Sequence, residues 1–355
     1  MALSKVYHES YLENDNGTAQ MLRALLIEGM GRYLPNNRLD NEMLSQLAGI
    51  DYSEIDQRCG VKTRHFADRE AGESAPEMGA RAAKDALAAA GCALSDIDLI
   101  ISASGTSHQF IPDQSVFIQS ALGAGGSGIS CFSVHTSCLS FLTALDIAAS
   151  HLETRRYKRI LIVTAEFASA GLNLQDPESG PLFGDGAAAA VVRLRQPQDP
   201  VSPTAGIHRM RFESYGDDAH LTGVPGSGTN LPANNPTTPR EASLFRMSGR
   251  GLLRRALKHI PPFVDALYPE VHTDTGDAVF VLHQASRAGL NLISRVGFPE
   301  ASVVRTLAEC GNCVAASLPL TLFKAIETGA LQRGQTAVLI GTAAGVTYGG
   351  AVITY

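Results

Sequence analysis

Cys138 is the residue whose type and local setting best suit nucleophilic chemistry. It follows the apolar run 129–134 and stands where a helix over 139–153 is predicted to begin. Free backbone N–H groups and the dipole at a helix start favour an anion, so we expect the pKa of this thiol to fall and its thiolate to act in acyl transfer. A small buried cysteine is the alternative. It is the only interpretation that suits Cys131, which lies inside the preceding strand.

His283 and Asn312 are polar residues that could assist such a nucleophile. His283 ends the apolar run 278–283, and α/β proteins place ligands at the carboxyl ends of strands. A histidine there can move a proton or, when neutral, donate a hydrogen bond to an oxyanion. Asn312 stands in a Gly-Asn turn, where its amide could hold a carbonyl oxygen without titrating. The alternatives are a core histidine and a simple turn residue.

Cys310 and Cys313 form a Cys-x-x-Cys motif around Asn312. Such a motif can indicate redox activity or half a zinc site, but a zinc site needs two more ligands and the sequence offers no second pair. We therefore expect no metal, and metal in the purified protein would support the zinc or redox alternative. Phosphate-binding fingerprints are also missing at strand-to-helix junctions, so nothing indicates a nucleotide-binding enzyme.

The elements that must position these residues alternate between strands and helices. Among the predicted helices, the one that starts at Ser74 and stops at Gly91 has the clearest limits, because Ser74 and Glu77 form a capping box and Gly91 suits the C-cap. Alternation of this kind is typical of an α/β fold with buried sheets. Apolar runs predict buried strands at 97–103, 159–164, 187–193, 278–283 and 336–341.

The order of these elements repeats once along the chain, and the segments DGAAAAVV and YGGAVITY close the two series in the same way. We therefore predict an N-terminal extension over 1–24 and two related α/β halves. The first half covers 25–195 and holds Cys138, and the second covers 196–355 and holds His283 and Asn312. Residues 196–245 show little periodicity, which suits either a cover over an active site or a plain surface insertion.

The composition limits the class of protein further. The chain of 355 residues has 29 Lys and Arg against 35 Asp and Glu, a net charge of −6 that argues against broad binding to nucleic acid or anionic membranes. No apolar run approaches the ~18 residues of a membrane-spanning helix. The first twenty residues lack the apolar core of a secretory signal, and six cysteines in such a chain do not suggest a disulfide framework. A cytoplasmic location is the default expectation.

Six segments together resemble the β-ketoacyl-acyl-carrier-protein synthase III family, the initiating condensing enzymes of the thiolase superfamily. The resemblance implies a five-layer αβαβα fold made of two duplicated halves, a homodimer, and no metal or redox cofactor. The segments are RCGVKTRHFA (58–67), the Cys138 segment, LFGDGAAAA (182–190), HQAS (283–286), GNCVAAS (311–317) and GVTYGG (345–350).

By this resemblance, Cys138, His283 and Asn312 form a catalytic triad. Cys138 takes the acyl group of a primer thioester, while His283 and Asn312 hold the thioester carbonyl of malonyl-acyl-carrier protein as CO2 leaves. The enolate then attacks the acyl-cysteine and gives a 3-oxoacyl product. The backbone N–H groups of Cys138 and Ala344 hold the oxyanion of the acyl-enzyme steps. An acyltransferase or non-decarboxylating condensing enzyme of specialised metabolism, and a non-catalytic partner subunit, remain alternatives.

The sequence departs from the family pattern where substrates are bound. Leu139 follows the nucleophile where an alanine is common, and the chain has no Trp to stack on the adenine of CoA, with Ile55 falling near that position. A longer, branched or aromatic primer therefore fits the sequence as well as an acetyl group. Arg58, in the first family segment, and Phe110 are candidate substrate contacts.

A basic strip on the predicted helix 249–267 is the candidate docking site for the acyl carrier protein. Arg250, Arg254 and Lys258 recur every four residues and so share one face, while Leu253 and Leu257 are expected on a face that packs inward. Such a strip on an acidic chain suits an acidic carrier protein. A solvated helix face is the alternative.

Overall fold

Two five-stranded sheets form the frame of the protein. The computed structural model describes residues 11–12, 20–226, 228–273, 276–294 and 296–355. Its strands are β1 (Tyr11–Leu12), β2 (Gln20–Met21), β3 (Leu25–Tyr33), β4 (Arg38–Asp40), β5 (Thr63–His65), β6 (Leu99–Ser102), β7 (Ser130–Ser133), β8 (Arg159–Glu166), β9 (Gly186–Leu194), β10 (Gly206–Ser214), β11 (Thr222–Gly223), β12 (Arg246–Met247), β13 (Val279–Leu282), β14 (Val303–Val304), β15 (Thr336–Ala343) and β16 (Thr347–Thr354).

Helices follow most of these strands. Over the described residues, no helix is both long and apolar enough to span a membrane. The α-helices are α1 (Asn41–Ala48), α2 (Asp56–Cys59), α3 (Ala75–Ala90), α4 (Gln114–Ala121), α5 (Ser140–Glu153), α6 (Gly249–Leu267), α7 (Arg287–Ser294), α8 (Leu307–Cys310) and α9 (Ser317–Glu327). Short 3₁₀ helices cover Leu94–Asp96, Ala168–Gly171, Gly216–Leu221, Arg240–Ser243, Pro269–His272, Glu300–Ser302 and Val314–Ala316.

The two large sheets have the same topology. The first runs β3-β9-β8-β6-β7 and the second β10-β16-β15-β13-β14. In each sheet the first two pairings are antiparallel and the last two are parallel. This shared order and direction confirms the predicted duplication.

Helices lie between the sheets and on both outer faces, as expected for five αβαβα layers. The middle layer consists of α5 and α9, whose Leu142 and Leu322 are fully buried in a core shared by both sheets. The apolar face of α3 covers the first sheet, and α6 covers the second. At Gly31 of β3 a Cβ would lie 2.2 Å from the backbone oxygen of Ala82, so only glycine allows α3 to approach this closely.

The predicted strands and the capped helix are confirmed, whereas the segment 196–245 contains an element that the sequence analysis missed. Ser74 caps α3 by accepting a hydrogen bond from Glu77 N, and Gly91 ends the helix in the left-handed conformation. Within 196–245, β10 forms the edge strand of the second sheet, where it pairs with β16. Most of its residues are only partly buried and several are charged, so it lacks the apolar run that marks a buried strand.

Much of the predicted N-terminal extension, residues 1–10 and 13–19, lies outside the described residues. Arg23, near its end, connects the two halves. Its side chain forms ion pairs with Asp146 and Glu153 of α5, and its backbone pairs with Ile207 of β10. The division at 24/25 and 195/196 stays a prediction, although β3–β9 fall before residue 195 and β10–β16 after it.

Candidate active site

Cys138 lies in a tight turn between β7 and α5. Thr136 N donates to Ser140 Oγ at 3.0 Å, and this hydroxyl donates to Ser137 O at 2.7 Å. Ser137 has a φ of 51°, an uncommon conformation for a residue other than glycine. The turn places Cys138 just before the cap residue of α5, Leu139, so its predicted position at a helix start is correct.

The electrostatic surroundings of Cys138 differ from the sequence-based expectation. The residue keeps part of its surface exposed, yet burial raises the pKa of the thiol to about 12, with the Glu166 carboxylate as a second cause. The expectation that the pKa falls is wrong, because burial raises the pKa by more than the backbone hydrogen bond at Cys138 lowers it. Cys138 is therefore a thiol at neutral pH.

His283 follows β13, and its backbone N–H donates to Ile340 O of β15 at 2.8 Å. The residue is 3% exposed, and burial lowers the pKa of the imidazole to about 4. Within the described part of the chain, Nδ1 has no hydrogen-bond partner. His283 is therefore uncharged at neutral pH and suited to donate a hydrogen bond.

Asn312 sits in the turn after α8, with its amide held in one orientation. Its Oδ1 accepts hydrogen bonds from Val314 N at 2.9 Å and Ser317 Oγ at 3.3 Å, and its Nδ2 donates to Ala285 O at 3.3 Å. Because the oxygen is occupied by donors, the second N–H of the amide is the group that can reach a substrate oxygen.

Gly341 of β15 marks the point where the Cys138 turn meets His283. A Cβ at this position would lie 2.8 Å from Leu139 Cδ2 and 3.2 Å from His283 Cβ. Leu139 directly follows Cys138, so the nucleophile segment and His283 pack against the same backbone. A side chain at residue 341 would separate them.

Gly105, in the loop after β6, marks the point where the Cys138 turn meets the Asn312 turn. A Cβ at this position would lie 2.6 Å from Val314 Cγ1 and 3.4 Å from Ser137 O. Ser137 precedes Cys138, and Val314 is hydrogen-bonded to Asn312. The structure thus brings together the segments that carry all three predicted residues.

The other predicted site residues lie on the surface or in turns. Arg58 is exposed on α2, Phe110 is 72% exposed in the loop before α4, and Ala344 lies in the turn between β15 and β16. Ile55 is buried against Tyr52 and other apolar residues, so it cannot stack on an adenine.

The face of α6 that carries the basic strip is not purely basic. Arg250, Arg254 and Lys258 are exposed as predicted. Leu253 and Leu257 are 38% and 53% exposed, so the expectation that they pack inward is wrong. Leu253 and Leu257 each stand one position after a residue that packs inward, Leu252 or Ala256. Each leucine is followed directly by one of the exposed basic residues. That inward face consists of Leu252, Ala256, Ile260, Phe263, Val264 and Leu267.

The sequence analysis missed two buried polar residues that hold the site together. Gln284 accepts hydrogen bonds from Thr306 N and Leu307 N at 3.0 Å each, and so ties the strand end at His283 to α8. Glu166 is a fully buried carboxylic acid at the end of β8. An acidic residue that closes an otherwise apolar strand, and a glutamine next to a candidate histidine, were the available signals.

Cys310 and Cys313 pack in a small buried cluster. Cys313 Sγ donates to Cys310 O at 3.5 Å, and both thiols are free. In the part of the chain that the structure describes, no group of three or more His, Cys, Asp or Glu residues could hold a metal ion. Both residues pack against Ala188, Ala316 and Leu320.

A duplicated α/β fold with a cysteine before its central helix is the architecture of a thiolase-like condensing enzyme. Residues 132–208 match the family model described as 3-Oxoacyl-[acyl-carrier-protein (ACP)] synthase III, and residues 274–355 match the model of its C-terminal part. A relative from Bartonella bacilliformis named Beta-ketoacyl-[acyl-carrier-protein] synthase III is 31% identical over 337 residues, which cover 94% of this chain and 100% of the relative. The chain belongs to the β-ketoacyl-acyl-carrier-protein synthase III family.

Solved structures support the same assignment. The chain is similar to 3-oxoacyl-[acyl-carrier-protein] synthase III from Aquifex aeolicus, with a TM-score of 0.80, 28% identity, and coverage of 93% of this chain and 100% of that chain. It is also similar to the priming beta-ketosynthase from the R1128 polyketide biosynthetic pathway, with a TM-score of 0.81, 28% identity, and coverage of 95% and 97%. The predicted family, fold and class of acyltransferase are confirmed.

Proposed function

We propose that the protein condenses an acyl primer with malonyl-acyl-carrier protein, with loss of CO2, through an acyl-cysteine at Cys138. The observation that carries the proposal is the meeting of the Cys138 turn with His283 and with the Asn312 turn, in a chain of this family. The substrates are thioesters of CoA or of a carrier protein. The reaction balances without a metal or redox cofactor.

The first half-reaction is transfer of the primer to Cys138. The Cys138 sulfur forms a bond to the acyl carbon, the bond from that carbon to the departing sulfur breaks, and the proton of the Cys138 thiol ends on the departing sulfur, which leaves as a free thiol. The backbone N–H groups of Cys138 and Ala344 would hold the negative charge on the acyl oxygen. Donors of this kind are strong because they are fixed in place before the charge develops.

The second half-reaction is formation of the carbon nucleophile from the malonyl group. Uncharged His283 and the Asn312 amide would donate hydrogen bonds to the malonyl thioester oxygen as the carboxylate leaves as CO2. The resulting enolate attacks the acyl carbon on Cys138, the bond from that carbon to the Cys138 sulfur breaks, and the sulfur takes up a proton from solvent to become a thiol again. Loss of one such donor typically lowers the rate ~100- to 1000-fold.

Intact-mass spectrometry with a panel of acyl thioesters tests this function. We expect the wild-type protein to gain the mass of one acyl group and Cys138→Ala to gain none. Cys131→Ala, the matched control on β7, should still become acylated. Release of CO2 and a 3-oxo product from malonyl-acyl-carrier protein would distinguish condensation from simple acyl transfer. Acylation of another cysteine with Cys138 unmodified would contradict the proposal.

The primer is the least constrained of the substrates. Burial of Ile55 removes an adenine-stacking contact at that position, so we propose that recognition of CoA, where it occurs, uses exposed groups such as Arg58. The thioester panel therefore includes acetyl, long, branched and aromatic groups, each on CoA and on a carrier protein. The most rapidly transferred group identifies the primer.

We propose the exposed face of α6 as the docking site for the carrier protein. Leu253 and Leu257 alternate with the basic residues Arg250, Arg254 and Lys258, so the face offers both positive charge and apolar contact. An acidic partner with an apolar contact of its own complements such a face. Arg255 is different, because it forms an ion pair at 2.8 Å with the buried Asp218 and so supports the fold.

We also propose a homodimer formed through β7. This strand lies at the edge of the first sheet and is only partly buried, and an edge of this kind can pair with a second copy. Phe110 and Ile111, 72% and 87% exposed, lie in the loop before α4, which packs against β7. Light scattering should give twice the 37.5 kDa of the chain, and a monomer at micromolar concentration would contradict this proposal.

A further inference from the structure

A series of buried polar side chains connects the strand end at His283 with the Asn312 turn. None of them has a role in the proposed reaction. Each is at most 5% exposed, so each must find hydrogen bonds inside the protein to offset its removal from water. The members of the series are Gln284, Thr306, Thr321 and Ser317.

Gln284, the residue after the histidine, is the first member of the series. Its Oε1 accepts hydrogen bonds from Thr306 N and Leu307 N at 3.0 Å each. Its Nε2 donates to the backbone oxygens of residues 282 and 304, at 2.7 Å and 3.4 Å. These four hydrogen bonds are all that a side-chain amide can form. The ends of β13 and β14 and the start of α8 are therefore held together at one residue.

The hydroxyl groups of Thr306 and Thr321 continue the series from α8 to α9. The two oxygens lie 2.9 Å apart. Thr321 Oγ1 donates its hydrogen to Ser317 O at 2.7 Å, so the hydrogen between the two threonines belongs to Thr306. The start of α8 is thus fixed to α9 by a hydrogen bond with a defined direction.

Ser317 completes the series at the Asn312 turn. Its hydroxyl donates to Asn312 Oδ1 at 3.3 Å. Ser317 and Thr321 are four positions apart and share one face of α9, and this face holds both ends of the segment 306–312.

The series adds to the other contacts of Asn312. Its backbone is held by Leu182 O and Gly184 N, which fixes the turn. Its amide also donates directly to Ala285 O, at 3.3 Å, which is longer than a typical N–H···O bond. What the series supplies is therefore the orientation of the amide and the position of the histidine relative to it.

We propose that Gln284, Thr306 and Thr321 are positioning residues for the decarboxylation step. They hold His283 and Asn312 at the separation at which both donate to one malonyl thioester oxygen. As the bond from the α-carbon to the carboxylate carbon breaks, its electron pair passes into the enolate that these two donors stabilise, and CO2 leaves. Donors displaced by about 1 Å can cost about 100-fold in rate. The inference rests on the proposed function in taking this histidine and asparagine as the malonyl donors.

Thr321→Val removes the hydroxyl and keeps the shape of the side chain. We expect the kcat for CO2 release from malonyl-acyl-carrier protein to fall at least about tenfold, with its KM changed by less than about threefold. Intact-mass kinetics should show acyl transfer to Cys138 at an unchanged rate. Thr164→Val is the matched control, because Thr164 is fully buried in β8 and its hydroxyl has no hydrogen-bond partner among the residues that the structure describes. It should alter neither half-reaction.

Two further variants test the hydrogen bond itself. Thr321→Ser keeps the hydroxyl and should release CO2 at nearly the wild-type rate. Thr306→Val removes the same bond from its other end, so the double variant should be no slower than the slower single one. Thr306→Val also replaces Thr321→Val if the latter does not fold. Equal losses in both half-reactions, a serine variant as slow as the valine variant, or unchanged CO2 release would overturn the proposal.

A measurement that does not need the reaction separates this inference from the proposed function. The side-chain amide of Asn312 gives two signals in a ¹H–¹⁵N NMR spectrum, which are assigned by their loss in Asn312→Ala. These signals should shift in Thr321→Val and stay in place in Thr164→Val. Signals that do not move in Thr321→Val would refute the positioning role. A wild-type protein that never gains an acyl group on Cys138 would instead refute the proposed function.

Discussion

The burial of His283 makes the stability of the fold depend on pH. Its pKa falls from 6.5 to about 4 in the folded protein, where the residue is 3% exposed. The folded state takes up this proton less readily than the unfolded state. The contribution of uncharged His283 to the unfolding free energy is therefore fully present above pH 6.5 and is lost as the pH falls towards 4. The difference between 6.5 and about 4 corresponds to about 3 kcal/mol of unfolding free energy at pH 4.

Urea unfolding of the wild type and His283→Gln at pH 7, 6, 5 and 4 measures this contribution. Glutamine cannot titrate, so between pH 7 and pH 4 the wild type should lose about 3 kcal/mol more than the variant. Glu166 and Asp185 have raised pKa values and therefore favour the fold as the pH falls. Both are present in both proteins, so their effect cancels in the comparison.

Parallel pH profiles for the two proteins would refute the argument. They would mean that His283 takes up a proton as readily in the fold as in the unfolded chain, and hence that it is not a desolvated neutral ring. The role of His283 as an uncharged hydrogen-bond donor to the malonyl thioester would then lose its basis. A decarboxylation rate that falls as the pH drops through an apparent pKa near 6.5 would likewise contradict a desolvated, neutral His283.

The remaining predictions concern the extender, the carrier and the fold. Asn312→Ala should lower CO2 release from malonyl-acyl-carrier protein roughly 100-fold and self-acylation by less than about tenfold, whereas equal losses would contradict the assigned role. Arg254→Glu combined with Lys258→Glu should raise the KM for the carrier-bound substrate at least about tenfold at low salt, with little change in turnover of a small thioester mimic. Loss with both substrates would show that the helix supports the fold instead. Arg23→Ala should cost about 1–2 kcal/mol in urea unfolding without changing the acylation rate, because its carboxylate partners on α5 are partly exposed and can be rehydrated.

Features that depend on neighbouring residues in the sequence were predictable. The apolar runs that became β6, β8, β9, β13 and β15 are buried on both faces, so their composition alone identifies them. Ser74 and Gly91 mark the ends of α3 through local hydrogen bonds. The positions of Cys138 before a helix and His283 after a strand follow from the same local patterns.

Features that depend on distant contacts were not predictable from the residues. The charged residues of β10 hide an edge strand, since pairing on one side does not require an apolar run. The outward direction of Leu253 and Leu257 depends on which side of α6 meets the second sheet. The raised pKa of Cys138 results from burial and from Glu166, which lies 28 positions after Cys138 in the chain, at the end of β8.

The duplication has a practical consequence for how the chain can be divided. The inner helices α5 and α9 are buried between both sheets, so an isolated half would expose the apolar surface of its own inner helix to water. Cys138 comes from one half, and His283 and Asn312 come from the other. A chain cut in the loop 196–205 would give two fragments, neither of which holds a complete site. Turnover would then report their association, which makes this fold a natural starting point for a split-enzyme sensor.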